Sequence, residues 1–138
     1  MKRVISTEKT EELIGELVND HGPLVFHQSG GCCDGSAPMC FPRGEFKVGS
    51  RDVFLGEIGK QPFFIAEDQY SYWEHTQLII DVVKGRGGMF SVEGPTGNGF
   101  LTRSRVFSED EYAEHKSKPP SKASDLSEIE GLKTTTGD

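Results

Sequence analysis

Long apolar runs, an apolar leader and an excess of positive charge are all missing from this sequence. No run approaches the roughly 18 consecutive apolar residues of a membrane-spanning helix. The opening MKRVISTEKTEE lacks the apolar centre of a signal peptide, so we expect a cytoplasmic protein. With 15 Lys and Arg against 22 Asp and Glu, the chain is poorly suited to nucleic acid or anionic membranes. A protein, a cation or a small molecule stays open as the partner.

Cysteine is also scarce, and its placement is uneven. The chain has three cysteines, and all of them fall within SGGCCDGSAPMC at residues 29–40. A disulfide between the neighbours Cys32 and Cys33 would close a strained ring, and a cytoplasmic chain keeps its thiols reduced. The glycines beside them permit the positive φ angles that let a loop wrap around an ion.

The hydrophobic pattern predicts one amphipathic helix followed by short strands. The helix covers residues 7–21, where the apolar residues share one stripe at helical spacing, and Gly22-Pro23 ends it. In the first strand, LVFHQ at 24–28, Val25 and His27 share one face and the other three residues share the opposite face. The remaining strands are predicted where β-branched or aromatic runs lie between Gly or Pro residues, at 45–48, 52–58, 62–66, 77–83, 89–93 and 100–107.

The last third of the chain predicts a short helix and then a tail. Residues 67–76 indicate a short helix or turn, and Ser108 with Glu111 forms a capping box that opens a helix over 108–115. Residues 116–138 are poor in apolar residues and have no period, so we expect a disordered tail. The whole pattern predicts an α+β fold with a single folded domain over 1–115, in which the N-terminal helix packs on a mostly antiparallel β body.

The clustered thiols predict a site for a soft metal. Thiolates are preferred ligands of zinc, iron and copper(I), and Cys32 and Cys33 are the centre of this prediction. Cys40 and His27, which enters from the preceding strand, are the supporting ligands; His75 is the other candidate imidazole. We therefore expect a transition metal (iron or zinc) or an iron–sulfur cluster as the cofactor.

Two other interpretations of the cysteines stay open. Buried cysteines often serve as small apolar fillers, and this interpretation suits Cys40 between Met39 and Phe41. A reactive thiol is the second, because a catalytic cysteine needs a base and His27 lies five residues before Cys32. The spacing matches neither a standard zinc signature nor a protease signature.

Four segments carry a resemblance to a known family. They are GPLVFHQSGGCCDGSAPMC, DVFLGEIG, YWEHTQLIIDVVKGRGGMFSVEG and FLTRSR. Over about residues 7–112 the chain resembles the bacterial domain-of-unknown-function family 779. Members tend to be encoded near aldehyde dehydrogenases, so the resemblance implies an accessory role with such an enzyme as a protein partner.

A more distant similarity concerns the HesB-like A-type iron–sulfur carriers. The order of helix, strand, cysteine loop and hairpins is similar, with Gly30-Gly31-Cys32 at the first cysteine loop and residues 97–100 before the last strand. Those carriers place two more cysteines near the C-terminus, whereas this chain has none after Cys40. The similarity therefore implies the fold and not intact cluster-transfer chemistry.

The sequence as a whole favours an accessory protein that binds a metal and is not an enzyme. The first alternative is a metal-free interaction partner of an aldehyde or alcohol dehydrogenase, with the aromatic residues 70–73 as the contact surface. The second alternative is a thiol-dependent enzyme. The sequence leaves homo-oligomerisation open.

Overall fold

The structure is a computed structural model, and it describes residues 2–28, 37–85, 96–123 and 133–134. Cys32, Cys33 and the predicted strand at 89–93 lie outside the described residues. Over the described part, about a third of the chain is helical and rather more is strand, which confirms the α+β class.

The described residues form three helices and nine strands. The helices are α1 (Glu8–His21), α2 (Glu67–Trp73) and α3 (Glu109–Ser117). The strands are β1 (Val4–Ser6), β2 (Leu24–Gln28), β3 (Met39–Pro42), β4 (Lys47–Val48), β5 (Val53–Ile58), β6 (Gln61–Ile65), β7 (Thr76–Lys84), β8 (Asn98–Val106) and β9 (Lys133–Thr134). None of the described helices has the length and apolar character needed to cross a bilayer.

Helix α1 forms where the sequence predicts it, for identifiable local reasons. The Thr7 side chain accepts a hydrogen bond from the Thr10 backbone and so caps the first turn. Gly22, at φ +81°, ends the helix in a conformation that side chains disfavour. The stripe of Leu13, Ile14 and Leu17 is buried, so the helix is held by its packing on the strands.

The strands form two mixed sheets and a short pair. One sheet has the order β1-β7-β8, the other has the order β3-β2-β6-β5, and β4 pairs with β9. The longest pairing, β7 with β8, is antiparallel, as are β2 with β3 and β5 with β6. The pairs β1–β7, β2–β6 and β4–β9 are parallel.

Strands β1 and β3 have no counterpart in the sequence predictions. Each is only three or four residues long, too short to show a period of two. Both form because a longer neighbour already offers an edge: β1 pairs with β7, and β3 pairs with β2.

Strand β2 is an interior strand of its sheet and is buried on both faces. Leu24 and Phe26 belong to the main hydrophobic cluster, together with the α1 stripe. Val25 belongs to a second cluster on the opposite face, together with Val48, Phe64 and Ala123. The predicted division of LVFHQ into two faces is confirmed.

The fold continues past residue 116, where the sequence predicts the tail to begin. Helix α3 has the predicted capping box and runs to Ser117. Beyond it, the Ser121 carbonyl accepts a hydrogen bond from Phe54 N at 2.8 Å, and Ala123 N donates to the Asp52 carbonyl at 2.7 Å. Because backbone hydrogen bonds attach this segment, an apolar period is not needed and the sequence does not reveal it. We call residues 118–123 the C-terminal strap.

Candidate functional site

His27 is a buried imidazole that is paired with a carboxylate. It stands near the end of β2, and the residue is 6% exposed. Its Nε2 lies 2.7 Å from Asp52 Oδ2. The contact with the carboxylate holds the imidazole ring in one orientation.

Asp52 is itself positioned by a tight turn before β5. The Gly49 backbone N–H donates to Asp52 Oδ2 at 2.8 Å, and Asp52 N donates to the Gly49 carbonyl at 3.0 Å. A Cβ at residue 49 would lie 3.1 Å from that same carboxylate oxygen, so glycine suits this close approach. The carboxylate therefore reaches His27 already held by the backbone.

Aromatic rings form the wall beside this pair. The His27 ring lies 5.2 Å from the Phe46 ring, tilted by 57°. Phe46 in turn stacks on Phe41 at 4.5 Å, with the rings nearly parallel at 5°. These rings pack against the second hydrophobic cluster, so the imidazole sits in an apolar setting in which its hydrogen bond to Asp52 is strengthened.

Cys40 lies on the other side of the sheet. It is fully buried and belongs to the main cluster. In the β2–β3 register Cys40 pairs with Phe26, and Met39 pairs with His27. Side chains of adjacent residues point to opposite faces of a sheet. The structure therefore does not bring the Cys40 thiol and the His27 imidazole together.

Cys32 and Cys33 lie outside the described residues, but both ends of their connection are described. The chain leaves β2 after Gln28 and returns at β3, where Met39 is the cross-strand partner of His27. Asp52, His27 and the two ends of the connection thus lie at the same end of the strands in the sheet β3-β2-β6-β5. Within the described ranges, no three His, Cys, Asp or Glu residues form a metal-binding group.

The other imidazoles and the aromatic segment are distributed elsewhere. His75 is exposed, with its ring 6.5 Å from that of Tyr112, and His115 is buried in α3. In the aromatic segment, Trp73 is buried, whereas Tyr72 is 58% exposed. Only part of the predicted contact surface at 70–73 is therefore available to a partner.

An ion-pair group joins Arg51, the neighbour of Asp52, to Lys122 of the C-terminal strap through Glu67. Glu67, at the start of α2, accepts from Arg51 at 3.0 Å and from Lys122 at 2.5 Å. The bond from Lys122 is the leading cause that lowers the pKa of Glu67. Arg51 is exposed, and Glu67 and Lys122 are partly exposed, so these ion pairs add little to the stability of the strap.

Sequence reasoning found His27 but missed Asp52. His27 stood out because it precedes the thiols by a few residues. Asp52 is 25 positions away from His27 and appeared only as the first residue of a predicted strand. The available signal was the GSRD turn at 49–52, whose glycine and aspartate are typical of a side chain that bonds back to its own turn.

The fold and the site define a small α+β protein with a fixed histidine–aspartate pair beside a cysteine-bearing connection. Residues 13–106 match the family described as a domain of unknown function, DUF779. The chain belongs to this family. No curated protein and no solved structure matches the chain, so the similarity to HesB-like carriers stays a prediction.

Proposed function

We propose that this protein is a cytoplasmic accessory protein that binds a soft transition metal ion or an iron–sulfur species. Cys32 and Cys33 supply the thiolates, and the His27 imidazole is the third ligand. The observation that carries the proposal is the 2.7 Å contact between His27 and Asp52. Metal-binding histidines almost always donate their other ring N–H to such a group.

Cys40 is left out of this ligand set. Its burial in the main cluster and its position on the face opposite to His27 support a packing role. Two thiolates and one imidazole leave an open position on a four-coordinate ion such as zinc or iron. A partner protein or a small ligand can occupy that position.

Elemental analysis of untagged protein tests the proposal. We expect about one metal ion or cluster per wild-type chain, and strong loss in Cys32→Ser and in Cys33→Ser. Asp52→Asn keeps every ligand but weakens the orientation of His27, so it should lower the affinity in chelator competition by about 10- to 100-fold. Cys40→Ala is the matched control and should keep its metal. Unchanged metal content in both serine variants would rule out the proposal.

The same His27–Asp52 pair supports a second function, a thiol-dependent enzyme. A nucleophilic cysteine needs a base, and the base needs an orienting group. Alkylation of wild-type and Asp52→Asn protein as a function of pH distinguishes the two functions. A single fast-reacting thiol with a midpoint well below its ordinary value would favour the enzyme, provided that Asp52→Asn shifts that midpoint.

Association with a larger enzyme, such as an aldehyde dehydrogenase, is a third possibility. The exposed ring of Tyr72 supports it, because aromatic side chains are enriched at interfaces. Metal-free protein that co-purifies with a dehydrogenase, and loses it in Tyr72→Ala, would favour this role. If Cys32→Ser releases the dehydrogenase and Tyr72→Ala does not, the dehydrogenase binds at the metal site.

A further inference from the structure

Helix α3 buries one side chain, and that side chain is a histidine. All nine residues of α3 are described, and His115 is the only one of them that is buried. Its ring lies 4.5 Å from the ring of Phe107, which follows β8 and is also buried. A helix of this length is marginal in water when it is isolated, so α3 depends on its contacts with the rest of the protein.

The surroundings of His115 suit a neutral imidazole and not a charged one. His115 Nε2 is buried and has no hydrogen-bond partner among the described residues. In the charged ring both nitrogens carry a hydrogen, so Nε2–H would be buried without an acceptor. Burying a charged group that has no partner costs far more free energy than burying a neutral one.

The charged groups around His115 act in both directions. Arg3 donates hydrogen bonds to the carbonyls of His115 and Lys118, so its positive charge lies beside α3. Burial, then Arg3 and the N-terminal amino group, lower the pKa of His115, whereas Glu114 and Glu111 act in the opposite direction. A cleft between α2 and α3 adjoins the histidine and is lined by further titratable side chains: Tyr70, Glu74, Tyr112 and Lys116.

The end of α3 leads directly into the C-terminal strap. Lys118 and two prolines connect the helix to Ser121, whose carbonyl accepts from Phe54 N. Ala123 N then donates to the Asp52 carbonyl. The strap is thus attached at its start by α3 and further along by β5. Because proteins open locally in contiguous units, a strap that loses the attachment of α3 is released from β5 more often.

We propose that His115 is a pH-sensitive latch, which holds α3 and the C-terminal strap on the rest of the protein when it is neutral and releases them when it is protonated. In the detached helix the imidazole is in water and binds a proton more tightly, so acid favours the detached form. The attachment is complete above about pH 6.5, the ordinary pKa of a histidine, and weakens as the pH falls below it. No ligand of the proposed metal takes part in this latch.

Amide hydrogen exchange tests the latch, because the strap bonds protect the N–H groups of Phe54 and Ala123. Metal is first removed with a chelator, and each rate is divided by the intrinsic exchange rate at that pH. We expect the protection of both amides to fall between about pH 7.5 and about pH 5.5, by at most about tenfold per pH unit for one proton. Gly22 N, which donates to the Val18 carbonyl at the end of α1, should keep its protection.

Two variants of the histidine remove the titration. His115→Phe keeps a ring beside Phe107 but cannot be protonated, so the protection of the strap amides should no longer depend on pH in this range. His115→Gln is a second uncharged variant in case His115→Phe does not fold. His75→Gln is the matched control, because His75 is exposed and its ring lies 6.5 Å from that of Tyr112. It should keep the pH dependence of the wild type.

Three results would overturn the latch. The first is a constant protection of Phe54 and Ala123 in the wild type over this pH range. The second is an unchanged pH dependence in the folded His115 variants, which would assign the titration to another group, such as His27. The third is a parallel loss of protection at Gly22, because acid would then unfold the whole chain and not the strap.

Discussion

At the scale of single residues, some close contacts depend on backbone conformation and not on the pattern of apolar side chains. Gly59 is the sharpest case. It follows β5 at φ +52°, and a Cβ there would lie 2.7 Å from Cγ2 of Ile14. Helix α1 and the β5–β6 turn can approach this closely only because residue 59 has no side chain.

Gly59→Ala should therefore destabilise the protein through two separate effects. The left-handed backbone costs alanine about 1 kcal/mol, and displacing buried Ile14 costs about 1–3 kcal/mol more. Denaturant unfolding measures the sum. Gly85→Ala is the matched control: it has φ +75° but no described atom within 4 Å of the added Cβ. Equal losses in both variants would mean that the approach of Ile14 is unimportant.

In the candidate site, some residues could be predicted from the sequence and others could not. His27 could be predicted because its partners in the hypothesis are close along the chain. Asp52 could not, because its distance from His27 depends on how β2, β6 and β5 align within the sheet. Cys40 was assigned by its nearness to the other thiols, whereas its strand register places it on the opposite face from His27. One residue of register reverses the face of a side chain.

At the scale of elements, local signals predicted the helices and long strands well. The capping box of α3 is present in full: the Ser108 side chain accepts from Glu111 N, and the Glu111 carboxylate accepts from Ser108 N. Arg105 of β8 adds an ion pair to the same carboxylate at 3.0 Å. The Arg105 bond, followed by the Ser108 backbone bond, lowers the pKa of Glu111 to about 2.

Glu111 should make the start of α3 sensitive to acid. Its pKa is lower in the folded than in the unfolded chain, so its contribution is complete above about pH 4.5 and is lost as the pH falls to about 2. Glu111→Gln should therefore show a shallower loss of unfolding free energy over that range. Glu109→Gln removes a carboxylate from the same turn while leaving the Arg105 pair intact. If both variants keep the wild-type slope, the pair does not contribute to acid unfolding.

At the scale of the whole molecule, the C-terminal strap joins elements that are far apart in sequence. It contributes Ala123 to the second cluster and bonds to both ends of the Asp52–Phe54 backbone. Arg3, near the N-terminus, donates to the carbonyls of His115 and Lys118. The strap was not predicted because its sequence has few apolar residues. Its backbone partners, Asp52 and Phe54, are far away along the chain and come within reach only in the folded sheet.

Removing the strap should destabilise the whole fold. A chain that ends at Ser117 loses two backbone hydrogen bonds and the packing of Ala123, or roughly 3 kcal/mol together. A chain that ends at Ala123 keeps these contacts and should lose much less. Thermal unfolding of both truncated chains against the full chain measures the difference. Equal losses would assign the stabilisation to residues after 123.

The bond from Ala123 N to the Asp52 carbonyl has a thermodynamic consequence. The residue that orients His27 is also the residue that anchors the strap, so the two equilibria are linked and their coupling is reciprocal. If occupancy at His27 tightens the turn at 49–52, it shifts the equilibrium toward the docked strap by the same factor by which release of the strap weakens binding at His27.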